Sequence, residues 1–176
     1  MSRLVKLSPL LVLALLLSGC GFHLRQSVAL PASMQHIHLT VNNGGDLQRS
    51  LARALRNSGI TIEDESGPGV AELDVPQARF TTDTLSISGG ARVTEYSVQY
   101  QVKFSVKDAT GTMLLPEQRI QMSREYSYDA TNTIGNDAQV EEIQRSLIDD
   151  MVQSILFRLQ AAARHADEAQ SGATTP

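Results

Sequence analysis

Tryptophan is absent from this chain of 176 residues, tyrosine and phenylalanine number four each, and cysteine occurs once, at position 20. So few aromatic side chains offer no stacking platform for nucleobases or flat sugar rings. A single cysteine excludes an internal disulfide and every paired-cysteine metal site. Bases are also sparse: 15 Lys and Arg stand against 19 Asp and Glu, for a net charge of −4. Nonspecific binding to nucleic acid needs clustered positive charge, so nucleic acid is not an expected partner. Neither a glycine-flanked nucleophilic serine nor a phosphate-cradling glycine loop with its lysine occurs. An enzyme is not expected, and no metal or dissociable cofactor is implied.

Long apolar runs are missing too. The longest, "LSPLLVLALLLSG" at positions 7–19, has thirteen residues, and a bilayer-spanning helix needs about 20. Arg3 and Lys6 precede it, small residues close it, and no further charge appears before Arg25. That is the pattern of a secretory signal peptide over residues 1–19. Leu17-Ser18-Gly19-Cys20 resembles the bacterial lipobox. There the cysteine sulfur receives a diacylglycerol, the peptide is cut before it, and the new amino terminus takes an acyl chain such as palmitate. An ordinary signal with an incidental cysteine is the alternative. Each buried methylene strengthens anchoring by about 0.8 kcal/mol, so several chains hold where one does not. By resemblance to sorting signals, Gly21 after the cysteine favours the outer membrane. The exported chain loses Arg3 and Lys6, keeping 13 bases against 19 acids, a net charge of −6.

Residues 20–34 read as a lipidated tether, 35–164 as one domain and 165–176 as a disordered tail. "HIHLTVN" (His36 to Asn42) alternates and predicts a strand. "GGD" follows, with Asp46 expected as helix N-cap. Leu47, Leu51 and Leu55 then recur at helical spacing up to Gly59, which suits a left-handed terminator. "ITIED" resumes as a strand, and a strand–helix–strand unit predicts that the first two strands run parallel. Residues 70–90 are extended, Pro76 marks an edge or a bend, and Gly89-Gly90 is a hairpin signal. "YSVQYQVKFSVK" is the cleanest pattern: Tyr96, Val98, Tyr100, Val102, Phe104 and Val106 point one way, with Ser, Gln and Lys between them. Asp108 to Gly111 turns the chain. The next strand carries Ile120, Met122, Tyr126 and Tyr128 on even positions, interrupted by Arg124. After a loop at 129–137, a long helix is expected from Asp137, with a stripe through Val140, Ile143, Leu147, Met151, Ile155 and Leu159, broadened by Ile148, Val152 and Leu156. The expected fold is α+β. It is a two-layer α/β sandwich with a mixed sheet of four to five strands and two helices packed on one face.

His36 and His38 share a strand face but lack a third metal ligand in the nearby sequence. Glu141-Glu142 and Asp149-Asp150 sit on adjacent helical positions and read as solvated helix surface. The uncovered sheet face is rich in uncharged polar residues. It is either simply wet, which is common for antiparallel sheets, or an interface that tolerates water.

"CGFHLR" (Cys20 to Arg25) directly after a lipobox, Pro31 leading into a strand, "TEY" (Thr94 to Tyr96) opening the long alternating strand, and the long final helix together resemble the LPS-assembly lipoprotein family LptE. The resemblance implies an outer-membrane lipoprotein, lipid-anchored at Cys20 on the periplasmic side. It would plug the β-barrel LptD, assist that barrel's assembly, and help place lipopolysaccharide in the outer leaflet. The implied partners are LptD, lipopolysaccharide and outer-membrane lipid. Pairing with phosphates would require local bases, for which Arg79, Arg92, Lys103, Lys107 and Arg124 are the candidates. A free-standing periplasmic lipoprotein that binds a ligand remains the alternative. An apolar pocket between helices and sheet would favour it.

Overall fold

A computed structural model of the chain describes residues 34–87 and 93–172. The expected signal peptide, Cys20, the Gly89-Gly90 turn and Arg92 lie outside the described residues.

Strand β1 (His36–Val41) buries Ile37 and Leu39 on one face and turns His36 and His38 to the other. Helix α1 (Gly45–Asn57) follows, with Leu47, Leu51 and Leu55 fully buried. Each fully buried leucine contributes about 1.5–3 kcal/mol relative to an exposed one. The N-cap is Gly44 and not Asp46, which lies in the first turn and pairs with Arg49. Close packing explains the shift: a Cβ on residue 44 would meet Val41 Cγ1 at 2.8 Å and Ala78 Cβ at 2.9 Å. Gly59, at φ 84°, ends the helix in the left-handed region. Strand β2 (Thr61–Glu63) then pairs parallel with β1, as the crossover predicted.

Strands β3 (Ala71–Ile87), β4 (Val93–Lys107) and β5 (Met113–Ser127) form an antiparallel meander, and the five strands are ordered β2-β1-β3-β4-β5. β3 pairs parallel with β1 only as far as Val75. Immediately beyond lies Pro76, inside a register shift between Asp74 and Gln77. The proline therefore marks a bend where the neighbouring strand has run out and its missing N–H leaves no partner wanting. The bulge also reverses the side-chain alternation: Leu73 and Val75 are buried before it, Ala78 after it.

Helix α2 (Thr133–Gly172) lies on the same face as α1, and Leu147, Met151, Ile155 and Leu159 are fully buried or nearly so. It starts four residues before the expected Asp137. Asn132 Oδ1 accepts the Gly135 N–H, and the buried Asn136 side chain donates to the Asp129 carbonyl, so the loop's polar residues build the helix entry. At the other end the helix continues to Gly172, through most of the segment expected to be disordered. Alanine, glutamate and glutamine there favour helix on propensity alone, with no apolar period needed. Val98, Tyr100, Val102, Phe104 and Val106 all face the helices and are buried, giving the two-layer α+β sandwich its core.

Candidate functional site

Two regions remain open once the helices have covered one face of the sheet. The first is the opposite face. Asp83 accepts from Gln99 Nε2 at 2.5 Å, and Gln99 Oε1 accepts from Gln121 at 2.8 Å, a polar ladder across three strands. Lys103 bonds Glu117 at 2.9 Å and Lys107 bonds Glu72 at 3.1 Å on the same face. Two of the candidate phosphate-binding bases thus carry a carboxylate each.

Arg124 lies on the other side of the sheet. It occupies an even position of β5, faces the helix layer, and pairs with Asp150 of α2 at 2.7 Å. That contact explains the interruption of the apolar face and separates Arg124 from the other candidates. Arg79 is exposed on the open face, with no ion pair among the described residues. Sequence reasoning missed Arg119, exposed on β5 directly opposite Lys103. Gln77 of β3 faces Lys103 as well, which places Arg79 diagonally beside it. Arg79, Lys103 and Arg119 form a short basic diagonal across three strands, within reach of long side chains. The odd parity of position 119 was the available signal.

The histidines are engaged with Glu63. His36 Nδ1 lies 2.7 Å from its carboxylate and His38 Nδ1 lies 3.1 Å from its carbonyl oxygen. Among the described residues no group of three His, Cys, Asp or Glu side chains converges. Glu141 and Glu142 both reach Arg145, at 3.5 and 2.5 Å.

The second region is a cleft of about 560 Å³ between the first turn of α1 and the N-terminal half of α2. Ala78, Phe80, Tyr100, Leu47 and Ile148 line it, with Asp46, Glu141, Arg145 and Asp149 at its rim. The helix layer is therefore not fully packed, but half of the residues lining the cleft are polar or charged, so it is not the apolar pocket that would favour a free-standing ligand-binding lipoprotein. Phe80 and Tyr100 stack with ring centroids 3.9 Å apart. Burial, and secondarily the Asp46 charge, pushes the Tyr100 hydroxyl well above the usual tyrosine range. At the far end of the sheet Tyr96 stacks on Tyr126 at 5.5 Å and meets Tyr128 edge-on at 5.6 Å. Burial, with the two neighbouring tyrosines and Asp137, raises Tyr126 in turn.

Comparison with known proteins gives a consistent result. The family model described as LptE, lipopolysaccharide-assembly, matches residues 34–159. The LPS-assembly lipoprotein LptE of Photorhabdus laumondii is 29% identical over 150 residues, covering 81% of this chain and 82% of that protein. The protein of the same name from Pectobacterium atrosepticum is 26% identical over 147 residues, covering 82% and 79%. Among solved structures, lipoprotein B from Nitrosomonas europaea has a TM-score of 0.68 at 24% identity, over 80% of this chain and 91% of that one. Rare lipoprotein B from Shewanella oneidensis has a TM-score of 0.66 at 20% identity, over 75% and 98%. At those identities the solved structures speak to the fold alone, and the fold is the same.

Proposed function

This chain belongs to the LptE lipopolysaccharide-assembly family, and from that premise we propose that it is the lipid-anchored plug and assembly partner of the outer-membrane β-barrel LptD, helping to insert lipopolysaccharide into the outer leaflet. The role is one of assembly and not of catalysis. Cys20 carries a diacylglycerol and an N-acyl chain, and these hold the domain on the periplasmic side of the outer membrane.

The observation that carries the proposal is the open sheet face. Its Asp83–Gln99–Gln121 ladder presents hydrogen-bonding groups, and Lys103 and Lys107 are neutralised by Glu117 and Glu72. The lumen of a large β-barrel is polar, and a face of hydrogen-bonding groups and paired lysines suits it, with Arg79 and Arg119 left as its unpaired bases among the described residues. Lipopolysaccharide phosphates are anionic, so their contact on a net-negative protein falls to local bases. The diagonal through Arg79 and Arg119 is the favoured place, since neither has an ion pair among the described residues while Lys103 between them is held by Glu117; Arg92 is a separate candidate read from the sequence. Lys107 and Arg124 are held in ion pairs apart from that diagonal.

Extraction of outer membranes in mild detergent, followed by pull-down on this chain, tests the proposal. Recovery of a stoichiometric β-barrel is expected; a clean monomer sinks the plug role. Mass spectrometry of the exported chain should find acylated Cys20. Arg79→Glu combined with Arg92→Glu should weaken lipopolysaccharide binding while the fold persists, and unchanged binding removes both residues from the contact.

A further inference from the structure

The cleft between α1 and α2 contains donors without acceptors. Helix α1 has no side-chain cap at its N-terminus, because packing against Val41 and Ala78 requires glycine at position 44. Its first-turn residues Gly45, Asp46 and Leu47 line the cleft. Uncapped amides of this kind favour an acceptor oxygen. A second observation is independent of the helix. Tyr100 is only 1% exposed, lines the cleft, and its hydroxyl has no hydrogen-bond partner among the described residues. No side-chain polar atom among the described residues is both fully sealed from solvent and unpaired, so this hydroxyl opens onto the cleft. A tyrosine buried this deeply ordinarily bonds its hydroxyl to something.

Charge on the rim selects the kind of acceptor. Asp46 is tied to Arg49, while Arg145 is tied to Glu141 and Glu142. Asp149, exposed at the rim, has no partner among the described residues. A phosphate or carboxylate would meet three acids and one already occupied base. A neutral carbonyl oxygen meets no such repulsion, and a cation beside it would find Asp149. The same cleft carries the apolar surface of Phe80 and Ile148, which suits the methylene stem of a long basic side chain. A volume of about 560 Å³ falls within the about 300–1,000 Å³ of ordinary ligand sites.

We infer that this cleft is a docking site for a basic peptide segment: a backbone carbonyl caps α1 and bonds the Tyr100 hydroxyl, while a lysine or arginine crosses Phe80 to reach Asp149. The site lies on the helix side of the sheet, away from the open face, and does not depend on what that face binds.

The test uses the ¹⁵N-labelled full chain in detergent micelles, titrated with acetyl-Gly-Lys-Gly-amide and followed by amide resonances. Saturable shifts are expected at Gly45, Asp46 and Leu47. The glutamine analogue of the peptide should bind several-fold more weakly, and the Asp149→Asn variant should abolish that preference. Removing one hydrogen bond by Tyr100→Phe should weaken the lysine peptide about fivefold. Asp149→Asn alters an exposed side chain, so the test survives any folding defect in the tyrosine variant. Absence of shifts at those amides up to the solubility of the peptide overturns the proposal. Stronger shifts with inorganic phosphate than with peptide, or unchanged binding in both variants, overturns it equally.

Discussion

Alanine at position 44 should destabilise the protein, although backbone considerations alone predict the opposite. Gly44 has φ −131°, which any L-residue adopts. Replacing glycine at such a position usually stabilises by about 0.4–1 kcal/mol, by restricting the unfolded chain. Two local effects oppose that gain. Alanine is a poorer N-cap than glycine, by several tenths of a kcal/mol. More importantly, the new methyl would lie 2.8 Å from Val41 Cγ1 and 2.9 Å from Ala78 Cβ. Val41 can rotate away, but Ala78 Cβ moves only with the backbone of β3. Overpacking of this kind costs about 1–3 kcal/mol, so the net loss should be about 0.5–2.5 kcal/mol. Urea unfolding of Gly44→Ala measures it, and Ala78→Gly in the same chain identifies its cause. With the opposing Cβ removed, a coupling energy of about 0.5–1.5 kcal/mol should return. A Gly44→Ala variant as stable as the parent, or a double variant without coupling, would refute the claim that close packing dictates this glycine.

Leu51 is fully buried on α1, and Leu51→Ala should cost about 2–5 kcal/mol in urea unfolding; a smaller loss would mean the helix is loosely packed. Tyr100 ionises later in the folded protein than in the unfolded chain, where its value is about 10. Its contribution to stability is therefore complete below about pH 10 and lost as pH rises toward the folded-state value, at up to about 1.4 kcal/mol per pH unit. Tyr100→Phe should flatten that alkaline decline, and an identical decline in the variant would count against a buried hydroxyl. Arg124→Gln breaks an exposed pair with Asp150 and should change stability by less than about 1 kcal/mol. In the β4–β5 turn the Asp108 carboxylate accepts from the Thr110 hydroxyl and from the Thr110 and Thr112 amides, which holds its ionisation below the usual carboxylate range. That stabilisation is present above about pH 4 and is lost as pH falls through the folded-state value. Asp108→Asn should retain most of the turn and Asp108→Ala should not, as read by amide exchange in residues 108–112.

Local periodicity made much of the fold legible before any coordinates. The alternation from Tyr96 to Val106 has period two, so it assigned faces as well as a strand, and the leucines at 47, 51 and 55 likewise assigned the buried side of α1. Boundaries were less visible. The entry to α2 depends on Asn132 and Asn136, whose side chains bond backbone in a geometry that composition alone does not reveal. Its far end has no apolar period, and helix propensity carried it on to Gly172.

The sequence by itself determined the two-layer architecture and the parallel pairing of the first two strands, because both are written in short-range spacing, and it carried the resemblance to an assembly family in the particular residues of "CGFHLR" and "TEY". Only the tertiary structure decided which bases act together. Lys103, Lys107 and Arg124 look alike in sequence, yet each is bound to a carboxylate 14, 35 and 26 residues away respectively, and no short-range pattern encodes such meetings. The cleft arose in the same way. Ala78, Tyr100, Gly45 and Asp149 belong to four different elements, and they border one space only where the start of α1 meets β3 at Gly44 and Ala78.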